Sequence, residues 1–193
     1  MPHVKPDKPW PVSAGPQPGY DRTMLALTLK ETAALTNRIA AANGFDHPNW
    51  DNIIIKLALA GGELDEARDG AMGVGEDPIE EELADAAIRI LSVLDSIWGE
   101  DWCDRVTTRH QKKISPFAPI EVLLWPTLGY LFKAMEMRRY DNRAETKTCI
   151  ELALLEVFRL ADALQINLMH AIWLKCEKNK GRPKLHGKGY AVG

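Results

Sequence analysis

The chain is poor in cysteine, in long apolar runs and in excess positive charge, and each shortage removes a class of function. Its three cysteines, Cys103, Cys149 and Cys176, are odd in number, far apart and not at ligand spacing. Neither a disulfide framework nor a thiolate metal site is indicated. No stretch is long and apolar enough to cross a bilayer, and no secretory leader is visible, so the expectation is a soluble protein of the reducing cytoplasm with no membrane contact. A formal net charge of −3 gives no global basic field, which argues against a dedicated nucleic-acid binder. No run of alternating β-branched residues suggests a strand, which leaves an all-α fold.

What is present is enough for one substantial core. With 193 residues and 46% hydrophobic content, one domain or two closely fused halves is expected. Residues 1–22 form a proline-rich arm (Pro2, Pro6, Pro9, Pro11, Pro16, Pro18) that cannot hold a helix. The helical body is expected over 23–180, followed by a basic tail over 181–193.

Within the body, a first helix over Thr23–Asn43 ends at Gly44, and a second spans about Trp50–Asp69. The apolar side of the second is Ile53, Ile54, Leu57, Gly61 and Leu64, with Ala60 and Ala67 at its margin. Gly61-Gly62 inside it each weaken a helix by about 1 kcal/mol against alanine. Close packing of a neighbour, favoured here, or room for a ligand would explain them. The segment GAMGVGED resembles a phosphate loop only superficially, because no Gly-Lys-Ser/Thr follows and no strand precedes it.

Asp77 as N-cap, Pro78 at the first helical position and Glu80 in a capping box open the third helix, which Gly99 ends. A short helix over 100–113 and a long one over Ile120–Arg139 follow, with Pro126 kinking or starting the latter. Asn142 with Glu145 caps a helix over 143–165, and Asn167 caps the last, to Asn179, with Gly181 stopping it.

The chemistry concentrates in Lys56–Asp85. Glu63 with Glu66, and Glu82 with Asp85, are both spaced i, i+3. On a helix that spacing puts two carboxylates on one face, about 60° apart. Two antiparallel helices would bring all four together. Acid pairs of this kind are usually solvated surface. If four converge within about 6 Å, each pair repels by roughly 3 kcal/mol at an effective dielectric of 20. Six such terms exceed the stability of many domains, so convergence demands a cation. No Glu-x-x-His of the di-iron type is present, and four hard oxygens point to Mg²⁺, replaceable by Mn²⁺. Lys175, Lys178, Lys180, Arg182, Lys184 and Lys188 form a basic stretch, readable as an ordinary tail or as a clamp on phosphate oxygens.

A weak internal repeat is also visible. Aligning GELDEAR (62–68) with GYLFKAM (129–135), and Asp95 with Asp162, places Tyr130, Lys133, Cys149 and Leu152 where Glu63, Glu66, Glu82 and Asp85 stand. Any two amphipathic hairpins could align as well.

These residues resemble the MazG-like superfamily of all-α nucleoside triphosphate pyrophosphohydrolases. The likeness rests on Glu63-x-x-Glu66, on Glu81-Glu82-Leu83-Ala84-Asp85 running into AAIRIL, and on RLADALQINLMHAI. It continues in Lys175, Asn179, Arg182-Pro183 and His186-Gly187-Lys188. It covers about 24–98 and 158–190. Residues 99–157 would be an insertion or the degenerate second copy.

The resemblance implies hydrolysis of a nucleoside triphosphate between its α and β phosphates, giving a monophosphate and pyrophosphate. It implies Mg²⁺ on Glu63, Glu66, Glu82 and Asp85; an acid not fully engaged by the ion, Glu63 or else Glu66, would accept the proton. Lys175, Asn179 and Arg182 would contact phosphates. It also implies a homo-oligomer or an internal pseudo-dimer. A non-catalytic nucleotide-binding or adapter protein of the same fold is the alternative. For the base, Asn37 and Asn52 offer amide edges and Trp50 a stacking face, although each also reads as a structural residue.

Overall fold

The computed structural model describes residues 22–99, 102 and 119–182, with side chains from Leu29 onward. The expected arm before Arg22, the short helix over 100–113 and the tail beyond Arg182 lie outside the described residues. Among those described there are six helices and no strand. They are α1 (Arg22–Ala42), α2 (Ile53–Ala71), α3 (Ile79–Trp98), α4 (Ile120–Arg139), α5 (Arg143–Ala163) and α6 (Leu168–Lys180). None is long and apolar enough to cross a membrane.

Two helical hairpins, α2–α3 and α4–α5, pack on each other through α2 against α4 and α3 against α5, while α1 and α6 lie on α3. Helix α3 is therefore the hub, and its sequence shows why. Leu83, Ala84, Ala86, Ala87, Ile90, Leu91, Val93 and Leu94 are all fully buried, so it is apolar around most of its circumference, as a central helix must be. Each buried leucine or isoleucine contributes roughly 1.5–3 kcal/mol relative to exposure.

The caps follow local chemistry. Gly44 takes φ +84° after α1, and Phe45 N donates to Ala40 O while Gly44 N donates to Ala41 O, a Schellman ending. The side chains of Asn142 and Asn167 accept from Glu145 N and His170 N at 3.1 Å each, which satisfies an otherwise orphaned donor at the start of α5 and of α6.

Three expectations are corrected. Helix α3 begins one residue later than expected, with Pro78 itself in the N-cap position, ψ 152°, and no side-chain cap. The Asp77 carboxylate is drawn instead toward Lys175 Nζ, 3.9 Å away. Helix α4 starts at Ile120 and runs through Pro126, so the proline does not start it. On α2 the buried side is Ile53, Leu57, Ala60, Leu64 and Ala67, while Ile54 is exposed. The helix is rotated toward its alanine margin because small side chains let it sit close to α3. That rotation carries Glu63 into the interior.

The loop between α2 and α3 is held by main chain against main chain. A Cβ on Gly75 would lie 2.8 Å from Gly70 N, and one on Gly70 would lie 2.9 Å from Asp77 O. No residue but glycine fits either place without moving backbone. Val74 N and Gly75 N both donate to Asp69 O, folding the loop back over the end of α2. The segment is a plain inter-helix turn, and it fixes how the two acid-bearing helices face each other.

Candidate metal centre

Three of the four expected ligands come together. One carboxylate oxygen from each of Glu63, Glu66 and Glu82 can be chosen so that all lie within 4.8 Å of one another. Glu63 and Glu82 are buried, at 9% and 4% exposure, while Glu66 faces solvent. Such a group has two walls of protein and one open side, and it offers only hard oxygen donors. That donor set suits Mg²⁺ or Mn²⁺, so the residues present fit the ion the resemblance implies.

The electrostatics carry the strain of the grouping. Burial, aided by a hydrogen bond and charge from Glu63 and by the charge of Asp85, pushes the Glu82 carboxyl up to about 7 against the pull of Lys175. Burial and then the Glu63 charge raise Glu66 as well. Carboxylates held this close resist ionising together.

Asp85 is placed differently. Its carboxylate lies 2.8 Å from Lys175 Nζ, and its pKa is raised by burial even though the bond to Lys175 works the other way. The same ammonium reaches Glu81 at 3.2 Å and Asp77 at 3.9 Å. Lys178 Nζ closes on Glu81 at 2.7 Å, and its hydrogen bond, outweighing burial, lowers the Glu81 carboxyl. Lys175 is 2% exposed. Burial alone would lower its pKa, but the bonds to Asp85 and Glu81 more than reverse that and raise it.

The phosphate contacts expected from the resemblance are thus unequal. Lys175 is committed to carboxylates. Asn179 ties helix ends together, its carbonyl accepting from Asn43 Nδ2 at 3.0 Å, while its side-chain Oδ1 is buried without a hydrogen-bond partner. Arg182 lies just past the end of α6. His186 and Lys188 fall outside the described residues.

Two site residues were missed from sequence. Arg89 donates from Nε to Glu63 Oε1 at 2.6 Å, and its Nη2 approaches the same oxygen at 2.5 Å. It stands one turn beyond Asp85 on α3, a spacing that was available to notice. Glu81 is the second. It belongs to the Glu81-Glu82-Leu83-Ala84-Asp85 motif, but its partners are lysines about ninety positions away, and nothing local in the sequence signals that pairing.

The base-contact candidates are occupied structurally. Asn37 donates to Asp95 Oδ2 at 2.7 Å and accepts from Ser92. Asn52 joins the turn before α2, accepting from Asn49 N and donating to His47 O. Trp50 has the guanidinium carbons of Arg138 and Arg143 over its ring at 4.6 and 4.7 Å and donates to Asp141. The glycine pair in α2 is not in tight packing. A Cβ on Gly61 would make an ordinary 3.9 Å contact with Leu128, and one on Gly62 would meet open space.

No known family's sequence model matches the chain, and neither a curated protein nor a solved structure matches it.

Proposed function

We propose that this protein is a Mg²⁺-dependent nucleoside triphosphate pyrophosphohydrolase. The observation that carries the reading is the convergence of Glu63, Glu66 and Glu82 to within 4.8 Å, in a place where burial first, and then Glu63 and Asp85, push the Glu82 pKa up to about 7. A divalent ion between them favours the ionised carboxylates.

Glu63 and Glu82 would hold the ion from the protein side, with Glu66 on the open side. When bound, the ion supplies neutralisation of phosphate charge and acidifies a coordinated water. Glu66, exposed and with its pKa raised, is the residue placed to accept that water's proton. Arg89 fixes Glu63, and Asn179 and Arg182 stand where α6 ends as the candidate phosphate contacts. Asp85 supports the ion site through its charge while remaining bonded to Lys175. The polar groups offered for the base are already spent, so no base preference is assigned.

The same reading includes assembly into a homo-oligomer. Ile55 and Leu59 on α2 and Val122, Trp125 and Phe132 on α4 are exposed on two helices that pack together. Exposed large apolar side chains on neighbouring helices are what supports this part of the reading. Sedimentation at micromolar concentration should give a species heavier than the 21.6 kDa chain, shifted back by Trp125→Glu.

The decisive experiment assays pyrophosphate release from a panel of ribo- and deoxyribonucleoside triphosphates with Mg²⁺ and Mn²⁺. Turnover of one or more nucleotides, lost on chelation, is expected. No turnover of any would overturn the enzyme reading in favour of a non-catalytic nucleotide-binding protein.

A further inference from the structure

Among the described residues, two cations touch the four acids Glu63, Glu66, Glu82 and Asp85, and they differ in access. Lys175 Nζ lies 2.8 Å from Asp85, but the residue is 2% exposed. Arg89 touches Glu63, a member of the converging set, through Nε at 2.6 Å and Nη2 at 2.5 Å. Its side chain is still 39% exposed. Of the two, Arg89 alone joins contact with the converging acids to an opening on solvent.

The helix explains the reach. Glu82, Asp85 and Arg89 are spaced i, i+3, i+7 on α3 and so share a face. Side chains lean toward the N-terminus of their helix, which carries the guanidinium back over the turns that hold the acids. Its charge is felt at Glu66, the acid on the open side, where burial and then Glu63 raise the carboxyl and Arg89 pulls it down. The two nitrogens directed at Glu63 lie along one edge of the guanidinium plane. Nη1, off that edge, has no bond or ion pair among the described residues. Arg68, the other arginine of the hairpin, is held on both sides, with Nη1 on Asp65 at 2.7 Å and Nη2 on Asp69 at 2.9 Å.

We propose that Arg89 is a phosphate-binding residue, holding Glu63 with one edge of its guanidinium and a phosphate oxygen of the ion-bound ligand with Nη1. The inference rests on the pyrophosphohydrolase reading and adds to it a cation at the acids themselves, where Lys175 is committed to carboxylates. An arginine suits the task because it keeps its charge at any working pH and presents planar donors that match a phosphate. Its part is to orient the phosphate chain against the ion.

Calorimetric titration of the full chain, first with Mg²⁺ and then with inorganic pyrophosphate at saturating Mg²⁺, tests this without turnover. The native chain should bind both. Arg89→Met removes the charge and keeps the stem, and should weaken pyrophosphate binding by about tenfold or more, the scale of a hydrogen bond to a charged group. Mg²⁺ alone should bind as tightly as before or more tightly, since a neighbouring positive charge is gone. These opposite directions separate a phosphate contact from a mere clamp on Glu63, whose loss would weaken both together. Unchanged pyrophosphate affinity in Arg89→Met, or a parallel loss of Mg²⁺ affinity, overturns the proposal. If Arg89→Met does not fold, Arg89→Lys decides: it keeps the charge without the fork, so weaker pyrophosphate binding with Mg²⁺ affinity intact supports the proposal and native-like binding overturns it. A native chain that binds Mg²⁺ but no pyrophosphate overturns it while leaving the ion site standing. A native chain that binds no Mg²⁺ at millimolar concentration removes the ion site itself, and this inference with it.

Discussion

The two hairpins have nearly the same length, and the positions that the repeat alignment would pair are filled in opposite ways. In α2–α3 the positions carry Glu63, Glu66, Glu82 and Asp85, and three of these crowd together. In α4–α5 the aligned positions are Tyr130, Lys133, Cys149 and Leu152. There Lys133 Nζ lies 3.4 Å from Glu145, and Cys149 Sγ is 4.0 Å from the same carboxylate. Burial, with the Glu145 charge, pushes the Cys149 thiol up, so it stays neutral. At these positions the second hairpin pairs its charge, Lys133 with Glu145, whereas the first holds raised carboxyls. The difference teaches that the hairpin geometry does not need the acids, and that crowding them in a buried place holds their pKa values up.

The sharpest break in the comparison is chemical. Glu66→Gln should lower ion-dependent pyrophosphate release by about a thousandfold, the scale of a general base's contribution. The exposed side chain leaves folding intact, which an unchanged circular dichroism spectrum checks. The corresponding change in the second hairpin, Lys133→Gln, should leave turnover within about twofold, as a surface substitution remote from the chemistry.

Next in size is the loop. Gly70→Ala should destabilise the fold by about 2 kcal/mol, because the new Cβ meets backbone at 2.9 Å. Denaturant melts would read this directly. No change in midpoint would mean that the loop yields more easily than its contacts suggest.

A pH series separates the hairpins electrostatically. Without divalent ion, Glu82 binds its proton more tightly folded, at about 7, than unfolded, near the ordinary glutamate value of 4.5. The folded state therefore holds the extra proton in that window, and stability falls as pH rises from about 4.5 to 7. The loss should be on the order of 2 kcal/mol, since Glu82 shares the change of charge with Glu63 and Asp85. Millimolar Mg²⁺ should flatten the slope. Thermal melts at pH 5 and pH 7.5, with and without Mg²⁺, give four points that decide it.

The smallest effects belong to the second hairpin. Asn142→Ala removes the cap of α5 and should lower stability by about 1 kcal/mol. Lys133→Ala breaks an ion pair whose members are both about half exposed, with an expected loss of 1 kcal/mol or less.

Sequence made the helices legible because their signals are local. Asn142 and Asn167 cap where they stand, Gly44 takes its positive φ, and α4 spans the residues its periodicity indicates. The convergence of Glu63, Glu66 and Glu82 was accessible through i, i+3 spacing and a short loop. What was not accessible depends on contacts distant in sequence. The rotation of α2 is decided by how closely its alanines approach α3. The departure of Asp85 to Lys175 depends on α6 docking on α3, which no local pattern encodes. Asp77 read as a cap for the same reason, since its real attraction lies on another helix.

The glycine seam between α2 and α3 has one more consequence. Because Gly70 and Gly75 meet backbone with no side chain between them, the opening angle of the hairpin has no soft spacer to absorb change. Substitutions deep in the core can be cushioned by repacking, but a shift at this seam would act as a lever on α3 and alter the separation of the carboxylates on its first turns. The loop therefore works as the calibration of the site. Its tolerance for mutation should track ion affinity more closely than it tracks stability.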